Sequence, residues 1–412
     1  MKNILNKVVV ADLQKLVLNY LSDSHKYILQ INNKFNFEKI MHHDSNLMIY
    51  CTKNGLVKIP SSLMKLSARY GNFKNIKWLL KKKYYYDKYT FAYAAENGNL
   101  EIMKWLLKLK FPHDGLVFAH ASLNGNLHNM KWLLQNNFGR TPLTFAYAAL
   151  NGNLDNMKWL LKHNFKYNEQ VFSYAALNGN LDNMKWLLVN NFPYNNSAFA
   201  SAAKNGNLEN IKWLLQNNFP YDAKTFANAA LNGDLRNMKF LLENNFPFDE
   251  DTFKNAARNG DLINIKFLLD NKFPYNEETF SQAAEKGHLH IMEFLLENNF
   301  PFNSSTFKYA AKNGNLTNMS WLLRNNFPKD KWAFAYAALN GDLNILKFLL
   351  ENKFSFDKNL LFNTIKTGNV ENILWILDNN MFPLEFINFD IINKHVDKKG
   401  YICLKRELVF QE

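Results

Sequence analysis

Cysteine is nearly missing: the 412 residues hold two, Cys51 and Cys403. Two thiols so far apart in sequence make no disulfide framework, so the expected setting is a reducing one, cytoplasmic or nuclear and not secreted. No apolar run reaches the roughly 20 residues of a membrane span. The opening MKNILNKVVVADLQ carries only a short apolar patch, cut at Asp12, with no small-residue cleavage site, so no signal peptide is read. Signatures of catalysis are missing too. The sixteen glycines stand singly, so no glycine-rich loop is available to cradle phosphate. No nucleophile-elbow serine, His-Glu-x-x-His or Cys-x-x-Cys occurs. The ten histidines are scattered, and His42-His43-Asp44 with Cys51 matches no zinc spacing, so they read as surface or turn residues. A non-enzymatic protein with no cofactor and no metal is expected.

Charge is unevenly spread. The net charge is +13, yet residues 141–412 are balanced. Residues 61–140 alone carry thirteen basic and four acidic residues, with Lys81-Lys82-Lys83 at the centre and Lys77 and Lys104 to either side. Such a footprint would attract an acidic protein, RNA or DNA; a solvated basic cap is the plainer reading.

What the chain has in abundance is one repeated sentence. A glycine recurs every 27 residues without a slip, at Gly71, Gly98, Gly125, Gly152, Gly179, Gly206, Gly233, Gly260, Gly287, Gly314, Gly341 and Gly368. A fixed period of this size signals a repeat array. Taking positions relative to that glycine, Phe recurs at −7 and Ala-Ala at −4 and −3, a helical spacing. Asp, Asn or once Thr stands at −11, where a short side chain can cap free backbone N–H groups. The spacing therefore predicts a helix A from about −11 to −2, closed by Asn-Gly. Asp or Asn follows the glycine in most units, and Leu at +2, Met or Ile at +5, Trp or Phe at +7 and Leu-Leu at +8 and +9 predict a helix B. Units close in Asn-Asn-Phe-Pro, and seven of the ten prolines occupy that one slot. Helices of about ten residues do not persist alone in water, so each must bury its apolar face against neighbouring repeats. The fold predicted is an all-α helix-turn-helix solenoid of about twelve repeats over 61–382, with helical caps at 1–60 and 383–412.

The run T-F-x-x-A-A-x-N-G-N-L-x-x-M-K-W-L-L resembles the ankyrin repeat, with Phe in place of that motif's Leu and without its Pro. The usual ankyrin period is 33. The six missing residues fall between Leu-Leu and the next Phe, so the resemblance implies ankyrin-like helices joined by shortened loops. The Asn-Gly-Asn-Leu, Lys-Trp-Leu-Leu and Asn-Asn-Phe-Pro phrases are similar to those of ankyrin proteins of giant DNA viruses and amoebal lineages, which would place the protein in a host cell. The function implied is a protein-interaction scaffold, monomeric, with helix A lining the partner-facing side.

Variation within the fixed frame marks candidate contacts. Position −5 changes along the array, and its aromatic members Tyr93, His120, Tyr147, Tyr174, Tyr309 and Tyr336 are the candidate partner-binding residues. Partial burial between repeats is the competing reading. Position +6 is Lys in nine of twelve units, from Lys77 to Lys347. It reads as a row of solvated stems, with a nucleic-acid ridge as the alternative. The ring at +7 reads as inter-repeat packing.

Residues 1–60 break the repeat. Asp12–Leu21 and Lys26–Phe37 read as two amphipathic helices. Leu13, Val17, Leu18, Tyr20, Leu21, Ile28, Ile31 and Phe35 resemble the apolar frame of an F-box, although Val9-Val10-Ala11 stands where that family has Leu-Pro. The resemblance implies docking to a Skp1-type ubiquitin-ligase adaptor. A plain helical cap is the alternative.

Overall fold

The computed structural model describes residues 62–356, 359–367, 370–379 and 381. The F-box-like positions, both cysteines, His42-His43-Asp44, Gly368 and the segment 383–412 lie outside the described residues. Among the described residues there are twenty-four α-helices and no strand, in strict alternation of helix A and helix B. The chain divides into two compact units, Met1–Thr141 and Pro142–Glu412. Sequence periodicity gave no sign of that division, which falls in the linker that carries Gly139-Arg140-Thr141 where most others carry Pro, an aromatic residue and Asp or Asn.

In the first unit the described helices are α1 (Leu63–Arg69), α2 (Phe73–Lys81), α3 (Lys88–Asn97), α4 (Leu100–Lys108), α5 (Leu116–Asn124) and α6 (Leu127–Gln135). The second opens with α7 (Pro142–Asn151) and α8 (Leu154–Lys162) and runs to Asp378. Helix A spans −10 to −1 or slightly less, one residue later than its sequence predicts. In the middle of the second unit Asp222 is extended and accepts from the Lys224 N–H, so the cap at −11 forms as read. Thr141 is the departure: its methyl faces Gly115, and its hydroxyl is buried without a hydrogen bond. Pro142 then opens the helix with φ already set.

Helix A ends on a glycine in the left-handed region, at φ +91° for Gly233. Helix B is capped by the next residue, as where Asp234 accepts from the Arg236 N–H. Its far end is closed by both asparagines of Asn-Asn-Phe. The first folds its amide back onto a carbonyl, Asn217 Nδ2 donating to Trp213 O at 2.7 Å. The second takes a left-handed φ, +56° at Asn218. The Phe219 N–H then donates to Leu214 O at 3.1 Å and the Asn218 N–H to Leu215 O, a Schellman closure.

The core is a row per repeat: Phe at −7, Ala at −4 and −3, Met or Ile at +5, Leu at +8 and the closing Phe at +13, all buried. In each unit helix A packs directly on the helix A of the next repeat, whereas helices B touch one another sparingly. The paired alanines permit that close approach.

Candidate functional site

Helix A presents positions −9, −5 and −2 away from the core, and −6 in some repeats, as at Ser173, Lys254 and Lys308; these are where repeats differ. In the second unit the −5 row begins with Tyr147 and Tyr174, rings edge to face at 6.0 Å. It passes through Ser201, Asn228, Asn255 and Gln282 to Tyr309 and Tyr336, again edge to face at 6.0 Å, and ends at Asn363, whose amide donates to Ala335 O at 3.4 Å. The rings are half-buried. Asn228 Nδ2 donates to Ala200 O and Asn255 Nδ2 to Ala227 O, each 3.0 Å, so this row also laces one repeat to the one before. Partial burial between repeats is thus seen along this row, and the rings keep an outward edge.

Charge on this face is local. Lys308 Nζ lies over the Tyr309 ring at 4.8 Å and the Tyr336 ring at 5.6 Å. Lys312 pairs with Glu285 at 2.8 Å, and the carboxylate raises the lysine's pKa. Lys254 sits between Asp251 and Glu278, raised likewise, chiefly by its bond to Asp251. In the first unit Glu96 is clamped by Arg69 at 2.9 Å and His120 at 2.8 Å, and Tyr93 lies between the Arg69 guanidinium and the His120 ring. The structure therefore brings Tyr93 and His120 together, and separately each tyrosine pair of the second unit.

The +6 lysines lie on helix B, away from this face. In the second unit they are partly answered within their own helices, Lys212 with Glu209 at 2.8 Å and Lys158 with Asp155 at 4.0 Å. Lys77 lies over the Phe73 ring at 3.8 Å. The ring at +7 packs on the closing Phe of its own repeat, as Trp186 does on Phe192 at 5.6 Å, and Trp105 also meets Phe73 of the preceding repeat edge to face at 5.1 Å. No group of three or more His, Cys, Asp or Glu among the described residues could hold a metal ion, and no helix there is long and apolar enough to cross a membrane.

The family comparison bears on a little under half of the chain. Residues 63–171, 147–225 and 172–252 match the family model described as ankyrin repeats in three copies. No curated protein matches the chain. Among solved structures, the pentatricopeptide repeat protein PPR10 in complex with an 18-nt psaJ RNA element is 8% identical, with TM-score 0.33 over 90% of this chain and 68% of that one. PPR10 from maize, in a further structure, is also 8% identical, with TM-score 0.26 over 82% and 65%. Likeness at that level carries no argument for this chain.

Three rows escaped the sequence reading. The Asn at −1 looks like a helix end. Its amide also reaches back one repeat, Asn232 Nδ2 donating to Lys204 O at 3.3 Å and Asn205 O at 3.4 Å. The Asn at +4 is buried and donates to the glycine carbonyl of the preceding repeat, as Asn237 does to Gly206 O at 2.8 Å. The third row is an aromatic residue at −12 in most linkers. Tyr194, Tyr221, Phe248, Tyr275 and Phe302 are each 37–39% exposed, and each stacks on the Phe that closes its own repeat, 25 residues on, at 3.9–4.0 Å. Recurrence at the 27-residue period was the available signal for all three.

Proposed function

We propose that the helix A face is the binding surface for a protein partner and that the protein acts as a scaffold, not by catalysis. The observation that carries this reading is the contrast along helix A: core positions repeat, while −9, −5 and −2 change from repeat to repeat. In the second unit two edge-to-face tyrosine pairs, flanked by Leu150 and Leu177 at one end and by Trp332 and Leu339 at the other, bracket a polar stretch. Held by packing on both sides, such rings lose little further freedom on binding, and Tyr and Trp are the usual anchors of protein interfaces. The closer packing of helices A than of helices B supports this as the inner side of each unit.

Affinity capture from a eukaryotic lysate, with nuclease present, tests the reading. Wild type is compared with Tyr147→Ala/Tyr174→Ala, with Tyr309→Ala/Tyr336→Ala, and with a helix B variant, Lys185→Gln/Lys239→Gln. Loss of the same proteins in one or both tyrosine variants and retention in the helix B variant is the expected result. Equal capture by all four would overturn it.

A further inference from the structure

Register by register, the helix B face of the first unit differs from that of the second. In the second unit acids stand at +3 (Asp155, Asp182, Glu209) and at +10 (Glu243, Asp270, Glu297). In the first unit +3 is Lys74, Glu101 and His128, and +10 is Lys81, Lys108 and Gln135. Lys81, Lys82, Lys83, Lys104, Lys108 and Lys131 are all exposed along α2, α4, α6 and the turn after α2. None of the six is in an ion pair among the described residues. Of the unit's described acids, only Glu101 shares their face. Asp87 caps the Tyr89 N–H, Glu96 is held by Arg69 and His120, and Asp114 pairs with Lys88 at 2.7 Å while capping Leu116.

An exposed ring stands among these charges. The turn after α2 reads Lys81-Lys82-Lys83-Tyr84-Tyr85-Tyr86, with Lys83 in the left-handed region at φ +58°. Tyr84 stacks on Trp78 at 6.1 Å and Tyr86 on Phe111 at 4.2 Å, which fixes the turn at both ends. Between them Tyr85 is 69% exposed and stacks on nothing among the described residues.

We propose that this face is a second binding site, for single-stranded nucleic acid, with the lysines on backbone phosphates and Tyr85 as a platform for an unpaired base. Lysines spread across three stacked helices suit a linear polyanion better than one compact acidic group. A ring held out of the core at the edge of that track suits base stacking, which tolerates any sequence. RNA and DNA share this chemistry. The site lies on helix B and does not depend on the helix A reading.

Fluorescence anisotropy on the full chain tests it, with labelled uridine RNA and thymidine DNA of about 20 nucleotides, titrated between about 50 and 200 mM salt. Three lysine–phosphate contacts on a single strand contribute about 2 to the slope of log K against log salt, so Lys81→Gln/Lys82→Gln/Lys83→Asn should flatten it by that amount. Asn is the residue that other repeats place at the Lys83 position, as at Asn137, so the turn is kept. Tyr85→Ala should weaken binding about fivefold or more and leave the salt slope unchanged. A charge-matched control, Lys158→Gln/Lys185→Gln/Lys239→Gln, should stay close to wild type. RNA binding above DNA would point to 2′-hydroxyl contacts; equal binding would leave phosphates and stacking as the basis, and either agrees with the proposal. Three results would overturn it: no binding at the lowest salt, equal loss in the control, or insensitivity to Tyr85→Ala together with binding to phosphatidylserine-containing vesicles as tight as to either oligonucleotide.

Discussion

Gly233 carries two constraints at once. Its φ of +91° is a conformation that L side chains rarely adopt, and a Cβ there would stand 2.6 Å from the Asn259 amide of the next repeat. Gly341 has nearly the same φ, +84°, but no described atom within 4 Å of the same point. Gly233→Ala is expected to cost about 2–4 kcal/mol, conformational strain plus displacement of Asn259. Gly341→Ala should cost about 1 kcal/mol, from strain alone. Urea unfolding of the two variants separates the contributions, and equal costs would mean that the contact with Asn259 is not a constraint. Thr252 is a second test at this scale. Its side chain is buried and its hydroxyl has no hydrogen-bond partner. Thr252→Val keeps the branched shape and removes an unsatisfied polar group, so it should stabilise by about 1 kcal/mol. A lower urea midpoint would show that the hydroxyl is satisfied in solution.

Between elements, the repeat glycine's neighbours are held by asparagines, and one joint is built differently. The repeat of Gly287 has Lys286 at −1 and Ile291 at +4, where most repeats have Asn. His288 Nε2 instead meets Arg258 O at 3.3 Å, and His290 Nε2 meets Gly260 O at 3.0 Å. Two histidines thus reach the preceding repeat in place of two missing amides, and His288, at the N-cap position of its helix B, makes no cap bond. Burial, against the bond to the Arg258 carbonyl and with His290 and Lys286 nearby, holds the His288 imidazole below its ordinary value. A histidine with a depressed folded pKa binds more protons when unfolded. Its contribution is therefore intact above about pH 6.5 and lost as pH falls through the folded value. Urea midpoints at about pH 7.5 and about pH 5 should differ less for His288→Asn than for wild type; an unchanged or larger difference would refute this. The helices, caps and core rows were legible because they follow local rules: the 3.6-residue period, Asp or Asn before a helix, Gly after it. The joints were not, because a hydrogen bond between repeats leaves no local pattern. Asn232 looks the same whether it ends a helix or also ties down Lys204 and Asn205. His288 and His290 are two of ten scattered histidines until the carbonyls they reach are known.

For the molecule as a whole, a constant 27-residue period is enough to specify a helical repeat fold, since each repeat needs only its neighbours to bury its face. The division after Thr141 was not legible, because Gly139-Arg140-Thr141 differs from other linkers only in residues that sequence alone reads as ordinary loop variation. The candidate surface was half legible. Position −5 stood out by its variation, but the pairing of Tyr147 with Tyr174 and of Tyr309 with Tyr336, and the lacing through Asn228 and Asn255, needed the stacked repeats. The most direct measurement places a photo-crosslinking amino acid singly at Tyr174 or Tyr309 on the helix A face, and at Lys185 or Lys239 on the helix B face of the same unit. The full chain is irradiated in a eukaryotic lysate and the adducts are identified by mass spectrometry. Protein adducts from the helix A positions that are missing from the helix B positions are the result this account predicts. Adducts confined to helix B, or the same from both faces, would contradict it.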